Sequence, residues 1–336
     1  MSELRRNPVT KHWTVMAPER KGRPGDFVER MDIPYAQNVC PFCPGNEALT
    51  PCELLTVREN DQWSLRVFPN RYPILRVEVE KVKRSRGFYD TVTGIGAHEV
   101  IVYTREHSKL MPDHDQALFV RYFDAIRSRM NDLSKDMRLV YLQFFQNCGY
   151  HGGATLAHPH GQLMALPMIP YSVERILDNT RAHYELHTRC LICDIIGGER
   201  ADKSRIVYEN SDFVAICPYA ATVPFEIYVY PKVHSHDFMM ISDTSLLRLG
   251  DIMTECYKRL GKILDEPDFQ MILHSAPTSS ATLQESFHTK IALHYHWCIE
   301  ISPKISRLGG AEKGGGFFVN AVLPEESAEL LREVQL

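Results

Sequence analysis

The sequence predicts an α+β protein made of two tandem domains, each a mainly antiparallel sheet carrying one long helix. Three observations predict it. Short β-branched and aromatic runs recur throughout, a long helical periodicity occurs once in each half, and the features of residues 1–178 return in the same order in residues 179–336.

The first half reads "CPFC" at 40–43, an apolar strand in "WSLRVFPNRYPI", a strand in "HEVIVYTREHSK", a helix, and a strand ending in "HPHGQLMALP". The second reads "CLIC" at 190–193, "SDFVAICPYA", "FEIYVYPKVHSH", a helix, and "HYHWCIEISP". His158 and His160 match His294 and His296 at a constant offset of 136, which also matches Pro167 to Pro303. A duplicated domain is the simplest explanation.

Runs such as "HEVIVY" and "FEIYVY", bounded by Gly or Pro, are strands. Residues of about 114 to 134 put Leu118, Tyr122, Ile126 and Met130 on one helical face, and about 243 to 264 do the same with Leu247, Ile252, Cys256 and Leu260. Each helix begins near an Asp or Ser able to cap it. A third helix is expected at about 324 to 334, opened by Pro324 and two glutamates. The domain boundary lies near 170–188, a stretch rich in charge and without a strand pattern.

At 336 residues, 44% apolar and 24% charged, the chain has the composition of a soluble globular protein. A net charge of −4 and a pI near 6.4 argue against a broad footprint for nucleic acid or anionic membrane, while leaving small anionic ligands open. The N-terminus has no apolar leader core and no run approaches 18 apolar residues, so a cytoplasmic protein is expected.

Four of nine cysteines form two C-x-x-C pairs, Cys40/Cys43 and Cys190/Cys193, a spacing that in this context favours metal ligation over disulfides. Such a pair can fill two corners of a zinc tetrahedron from one tight turn. The remaining corners in the first half fall to His107, at a strand end, and His158. In the second half His234 stands where His107 stands, and His294 or His296 supplies the fourth ligand. Two Zn2+ sites are therefore expected.

With His158 on a metal, His160 is left on the same strand face as a free imidazole. Gly149, Gly152, Gly153 and Gly161 surround it, and a glycine-rich backbone can aim N–H groups at phosphate oxygens. An imidazole attacks phosphorus well when its other nitrogen carries the proton, a tautomer that a backbone carbonyl near Pro159 could fix. A third imidazole at position 162 would serve as an acid or as a base for water. Gln162 does neither, but its amide N–H can donate to a phosphoryl oxygen as charge develops. The motif therefore points to nucleotidyl transfer between phosphates and away from hydrolysis. The second copy has Cys298 at the glutamine position by the 136 offset and no glycine-rich approach, so it is expected to be structural.

"RRNPVTKHWTVMAPERKGRP", "CPFCPGNEALTP", "RVFPNRYP", "EHSK" and "HPHGQ", in this order, resemble the galactose-1-phosphate uridylyltransferase family of the histidine-triad superfamily. The resemblance implies two histidine-triad-like domains, a homodimer, and a nucleotide sugar and a sugar 1-phosphate as substrates. It makes His160 the nucleophile, Gln162 the phosphoryl contact, and Cys40, Cys43, His107 and His158 the zinc ligands. It further implies that Arg20 and Arg23 lie near the phosphates and that Phe42 and Phe68 line the base and ribose pocket. Asn70, Asn147, Gly149, Gly153, Thr155 and Glu312 become substrate contacts.

Some members carry an iron held by one glutamate and three histidines. His274, His294 and His296 could match those histidines, but Ile176 stands at the glutamate position. "CLIC" instead resembles relatives with zinc in both halves, which include the plant-type ADP-glucose phosphorylases. "RLGGAEKGGGFF" keeps Glu312 but lacks a counterpart of the family's hexose-binding lysine, phenylalanine and glutamine. The first reading is exchange between UDP-glucose and galactose 1-phosphate; the second is adenylyl transfer from ADP-glucose to inorganic phosphate. A third, a zinc-ribbon module binding RNA or protein, meets the acidic net charge and the absence of a Lys/Arg stripe.

Overall fold

The computed structural model describes residues 2–21, 39–284 and 290–336, and the features below belong to them. In chain order the strands are β1 (Glu3–Arg6), β2 (Trp13–Met16), β3 (Leu55–Glu59), β4 (Gln62–Pro69), β5 (Lys83–Arg86), β6 (Tyr89–Val92), β7 (Ala97–Val102), β8 (Tyr141–Cys148), β9 (His160–Leu166), β10 (Ile206–Glu209), β11 (Phe213–Ile216), β12 (Ile227–Pro231), β13 (Phe269–His274), β14 (Cys298–Pro303) and β15 (Phe318–Asn320). The helices are α1 (Gln116–Leu133), α2 (Tyr171–His187), α3 (Leu191–Asp202), α4 (Asp243–Leu264), α5 (Ser279–Gln284), α6 (Ile291–His294), α7 (Gly310–Gly315) and α8 (Pro324–Glu333).

Ten strands form one antiparallel sheet in the order β10-β11-β12-β14-β13-β8-β9-β7-β4-β3. The two halves join at its centre, where β8 pairs with β13 from Phe269 opposite Cys148 to Leu273 opposite Phe144. The two halves thus share a continuous sheet, and the expected boundary at 178/179 falls inside α2.

Strand periodicity decides which face is covered. On β9, Gly161, Leu163 and Ala165 are buried while Gln162, Met164 and Leu166 on the alternate face are more open. The covered face receives α1, which packs on β8, β9 and α4, while α4 packs on β10 and β11. One apolar core runs through both halves, from Leu65 and Ile101 through Tyr122, Phe144 and Leu163 to Met271, Ile299 and Trp297. Each such large side chain taken from water contributes roughly 1.5–3 kcal/mol before entropy is counted.

The long helices start where capping chemistry puts them. Asp115 accepts from the Leu118 N–H at 2.7 Å to open α1, and Ser242 accepts from the Ser245 N–H at 3.1 Å to open α4. Leu247, expected on the core face of α4, is exposed; Leu246 and Leu249 are buried instead. The charged stretch after β9 is a helix, α2, whose buried Val173, Leu177 and Thr180 form a narrow stripe at spacings of four and three. No helix is long and apolar enough to cross a membrane among the described residues.

Candidate functional site

Two Cys/His clusters lie on the open face of the sheet. Cys40, Cys43, His107 and His158 bring their ligand atoms within 4.8 Å of one another, and Cys190, Cys193, His234 and His296 do the same. The first pair sits on a turn closed by the Cys43 N–H donating to the Cys40 carbonyl at 3.3 Å. In the second, Cys190 is the N-cap of α3 and Cys193 lies in its first turn. Each histidine near the end of β9 or β14 presents Nδ1 to the thiols and turns its Nε2–H onto a backbone carbonyl: His158 to Thr104 and His296 to Pro231, both at 2.9 Å. That carbonyl fixes the tautomer a metal ligand needs.

The thiols of each pair perturb one another. Cys190 is pushed down to about 3, first by the hydrogen bond from Cys193 and then by His296, while Cys193 is pushed up by the same bond. Cys43 is raised to about 11 by burial and by the charge of Cys40. Two thiolates this close disfavour each other without a cation between them, whereas a divalent ion would hold both.

His294 is not part of the second cluster, so of the two histidines the sequence left open it is His296 that joins the cysteine pair. It is buried, with Nδ1 3.0 Å from Thr180 Oγ1. Among the described residues the iron set is not assembled either, since His274 Nε2 lies 2.9 Å from Glu300 Oε2 while His296 belongs to the cysteine pair.

This geometry also corrects the register of the repeat. His296 matches His158, so the offset at this strand is 138, two residues more than the paired histidines of the sequence indicate. His107 and His234 complete the match, with ring centroids 5.4 Å from His158 and His296 and interplanar angles of 85° and 86°. Cys298 therefore stands opposite His160, and Glu300 opposite Gln162. Counting from the shared "HxH" aligned the wrong histidines.

His160 opens β9 and is 6% exposed. Its Nδ1–H donates to the His158 carbonyl at 2.8 Å, so Nε2 is the nitrogen left to act. Burial pushes its pKa below the usual imidazole range, outweighing the His158 carbonyl, and keeps the ring neutral. His158 thus serves twice, with its side chain in the cluster and its carbonyl on His160. Phe42 packs 5.2 Å from the His160 ring and 5.6 Å from Phe68, in a small apolar cluster with Trp63, Val100 and Val102.

Gln162 Oε1 lies 2.8 Å from His98 Nε2 on β7, a residue for which the sequence carried no signal. Asn70 meets the same ring, with Nδ2 3.3 Å from His98 Nε2. Asn147, the penultimate residue of β8, donates to the Gly153 carbonyl at 3.4 Å. In the glycine-rich loop, the Gly153 and Ala154 N–H groups close turns onto the Tyr150 and Gly149 carbonyls, and the His151 N–H donates to Asp268 at 2.8 Å. Three N–H groups of the loop expected to cradle phosphate are engaged within the fold in this conformation. Gly149 adopts φ +74°, and a Cβ there would lie 1.6 Å from Asp268 Oδ1, so this position requires glycine.

Other expected contacts stand apart. Thr155 is exposed in the loop, and Arg20 is exposed at the end of the short turn Pro18–Arg20. Arg23 lies outside the described residues. Glu312 accepts from the Gly309 N–H at 2.6 Å and the Val319 N–H at 3.3 Å, closing its own helix. A cavity of about 760 Å³ on the same face reaches from Asn147 into the second half, past Gln270, His274, Tyr228 and Glu300 to Lys304. The alternation in "FEIYVYP" and "FQMILH" is the signal that would have grouped Tyr228, Gln270 and His274.

Residues 1–170 match the profile described as galactose-1-phosphate uridyl transferase, N-terminal domain, and residues 177–301 match that of the C-terminal domain. The chain belongs to the galactose-1-phosphate uridylyltransferase family. An ADP-glucose phosphorylase from Arabidopsis thaliana is 34% identical over 341 residues, covering 99% of this chain and 93% of the relative. A galactose-1-phosphate uridylyltransferase from Thermotoga maritima is 28% identical over 344 residues, covering 100% of this chain and 99% of the relative. The crystal structure of an ADP-glucose phosphorylase from Arabidopsis thaliana with bound ADP-glucose aligns at 33% identity with a TM-score of 0.84, covering 100% of both chains. As the family implies, the chain is a nucleotidyltransferase with the expected α+β fold.

Proposed function

We propose that the protein exchanges the sugar phosphate of a nucleotide sugar for another phosphate through a covalent nucleotidyl-His160 intermediate. The observation that carries this reading is the His160 Nδ1–H bond to the His158 carbonyl, which leaves a neutral Nε2 as nucleophile. The Nε2 lone pair forms a bond to the α-phosphorus, and the bond to the bridging oxygen breaks toward the leaving sugar phosphate. A second phosphate oxygen then displaces the imidazole. Neither step needs a proton, which is consistent with an amide at position 162. The Gln162 N–H donates to a non-bridging oxygen as charge builds.

Both clusters would hold zinc, whose chemistry suits two thiolates and two imidazoles. Zinc bound by Cys40, Cys43, His107 and His158 supplies a fixed anchor for the residue whose carbonyl orients His160. Phe42, Phe68 and Asn70 are the proposed nucleoside contacts; Arg20, Asn147, Gly149, Gly153 and Thr155 the phosphate contacts; and Glu312 a sugar contact that must leave its present partners. A cytoplasmic homodimer belongs to the same proposal.

We favour adenylyl transfer between ADP-glucose and inorganic phosphate. The 34% identity to an ADP-glucose phosphorylase and the second cysteine pair support it. Uridylyl transfer from UDP-glucose to galactose 1-phosphate is the second reading, supported by the "HPHGQ" sequence. Steady-state kinetics with each donor and acceptor pair tests the choice. Parallel double-reciprocal lines with ADP-glucose and phosphate are expected, and turnover confined to the uridine pair reverses the assignment.

A further inference from the structure

We propose that His98 is a positioning residue that fixes the orientation of the Gln162 amide, an inference that rests on the roles given above to His160 and Gln162. A glutamine amide can lie in either of two orientations related by a half-turn, and only one aims its N–H2 group at a phosphoryl oxygen. The reverse orientation would set a carbonyl oxygen against the developing negative charge. Something must hold the amide.

The arrangement around His98 supplies a chain of donors that selects one orientation. The Ile74 backbone N–H approaches His98 Nδ1 at 3.5 Å, and an N–H can only donate, so Nδ1 accepts and the ring proton sits on Nε2. Nε2–H then needs an acceptor, and Gln162 Oε1 lies 2.8 Å away. With Oε1 so occupied, the Gln162 N–H2 group is left to face the open side of the sheet. The competing donor is Asn70 Nδ2, 3.3 Å from the same ring nitrogen; the Asn70 side chain is itself held by its Oδ1 accepting from the Tyr72 N–H at 2.9 Å, and its backbone N–H donates to the His98 carbonyl at 2.7 Å. His98 is 8% exposed, and burial lowers its pKa, so the ring stays neutral and its single proton carries the information.

The second half repeats the device without its use. Glu300, at the register of Gln162, has Oε2 3.0 Å from the Tyr228 hydroxyl and 2.9 Å from His274 Nε2. Ring donors hold the side chain there too, but an ionised carboxylate has no N–H to present.

The test is a double-mutant cycle on the full chain with kcat and KM measured separately. Losing one preorganised donor costs about 100- to 1,000-fold, and a donor that is merely disoriented is expected to cost less, about tenfold in kcat for His98→Phe, with KM for the nucleotide sugar nearly unchanged. In the Gln162→Ala background the same change is expected to add nothing, because His98 acts only through the amide. His98→Gln, which retains a side-chain N–H donor, is expected to recover most of the loss. Costs that multiply in the double variant overturn the inference. Wild-type protein that transfers no nucleotidyl group overturns the reaction instead. Nitrogen-15 shifts of the histidine rings judge the geometry without turnover: the Nε2–H tautomer is expected for His98, and an Nδ1–H tautomer refutes the inference whatever the reaction.

Discussion

His158 and His296 make the same hydrogen bond in opposite halves of the molecule, each directing Nε2 to a backbone carbonyl 2.9 Å away while Nδ1 faces a cysteine pair. The two clusters are equivalent in construction, but only the first adjoins a second histidine whose tautomer it controls. Loss of either should therefore weaken the fold, and loss of the first should also remove activity.

Metal analysis separates these effects. Wild-type protein is expected to carry two zinc equivalents, and Cys43→Ser and Cys193→Ser one each. The first variant should lose turnover by at least about tenfold, through displacement of the His158 carbonyl, while the second keeps most of its activity and melts earlier. Equal activity loss in both would contradict the separation of roles.

The corrected register makes a contrasting pair. His160→Ala should abolish turnover with little effect on melting. Cys298→Ala, at the equivalent position, removes a buried thiol and should cost about 1 kcal/mol of stability while leaving kcat within about twofold. Urea titration and steady-state kinetics on both variants check this.

Gly161 is fixed by what lies behind it. A Cβ there would stand 2.0 Å from Tyr122 Oη and 2.8 Å from the Phe144 ring, on the core face of β9. Gly161→Ala should destabilise by roughly 1–3 kcal/mol, read from the urea midpoint. An unchanged midpoint would mean that Tyr122 moves freely.

A pH effect on folding should come from His114, buried between Tyr103, Phe119 and Tyr257. Its Nδ1–H donates to the Leu110 carbonyl at 2.7 Å and its Nε2 lies 3.1 Å from the Tyr103 hydroxyl. Burial pushes its pKa down to about 4, against 6.5 for a free imidazole. The unfolded chain therefore binds the extra proton first, and stability falls as pH drops from about 6.5 toward about 4, by on the order of 3 kcal/mol over the full window. The stability gap between wild type and His114→Gln should narrow from pH 7.5 to pH 5; a constant gap would refute the assignment.

The legible parts of the sequence were those in which one side chain type repeats with the period of its element. β9 alternates, β7 and β12 are β-branched and aromatic runs, α1 and α4 carry apolar stripes behind capping residues, and paired cysteines announce ligands. α2 was not legible because charge dominates its exposed faces and only Val173, Leu177 and Thr180 mark the buried one. The two-residue slip in the repeat arose because "HPH" and "HYH" look alike, although the functional match runs from His158 to His296. His98 was invisible for a different reason. Nothing local marks it, and only the pairing of β7 with β9, Val100 opposite Gln162, brings it to the amide.

The most direct measurement is the intact mass of the protein after brief mixing with ADP-glucose or UDP-glucose in separate tubes, with no acceptor present. A mass increase of one adenylyl group, absent from His160→Ala, is the predicted result, and a uridylyl increase with the same dependence would keep the mechanism and change the base. Turnover without any adduct, or an adduct that persists in His160→Ala, would contradict a covalent intermediate on this histidine.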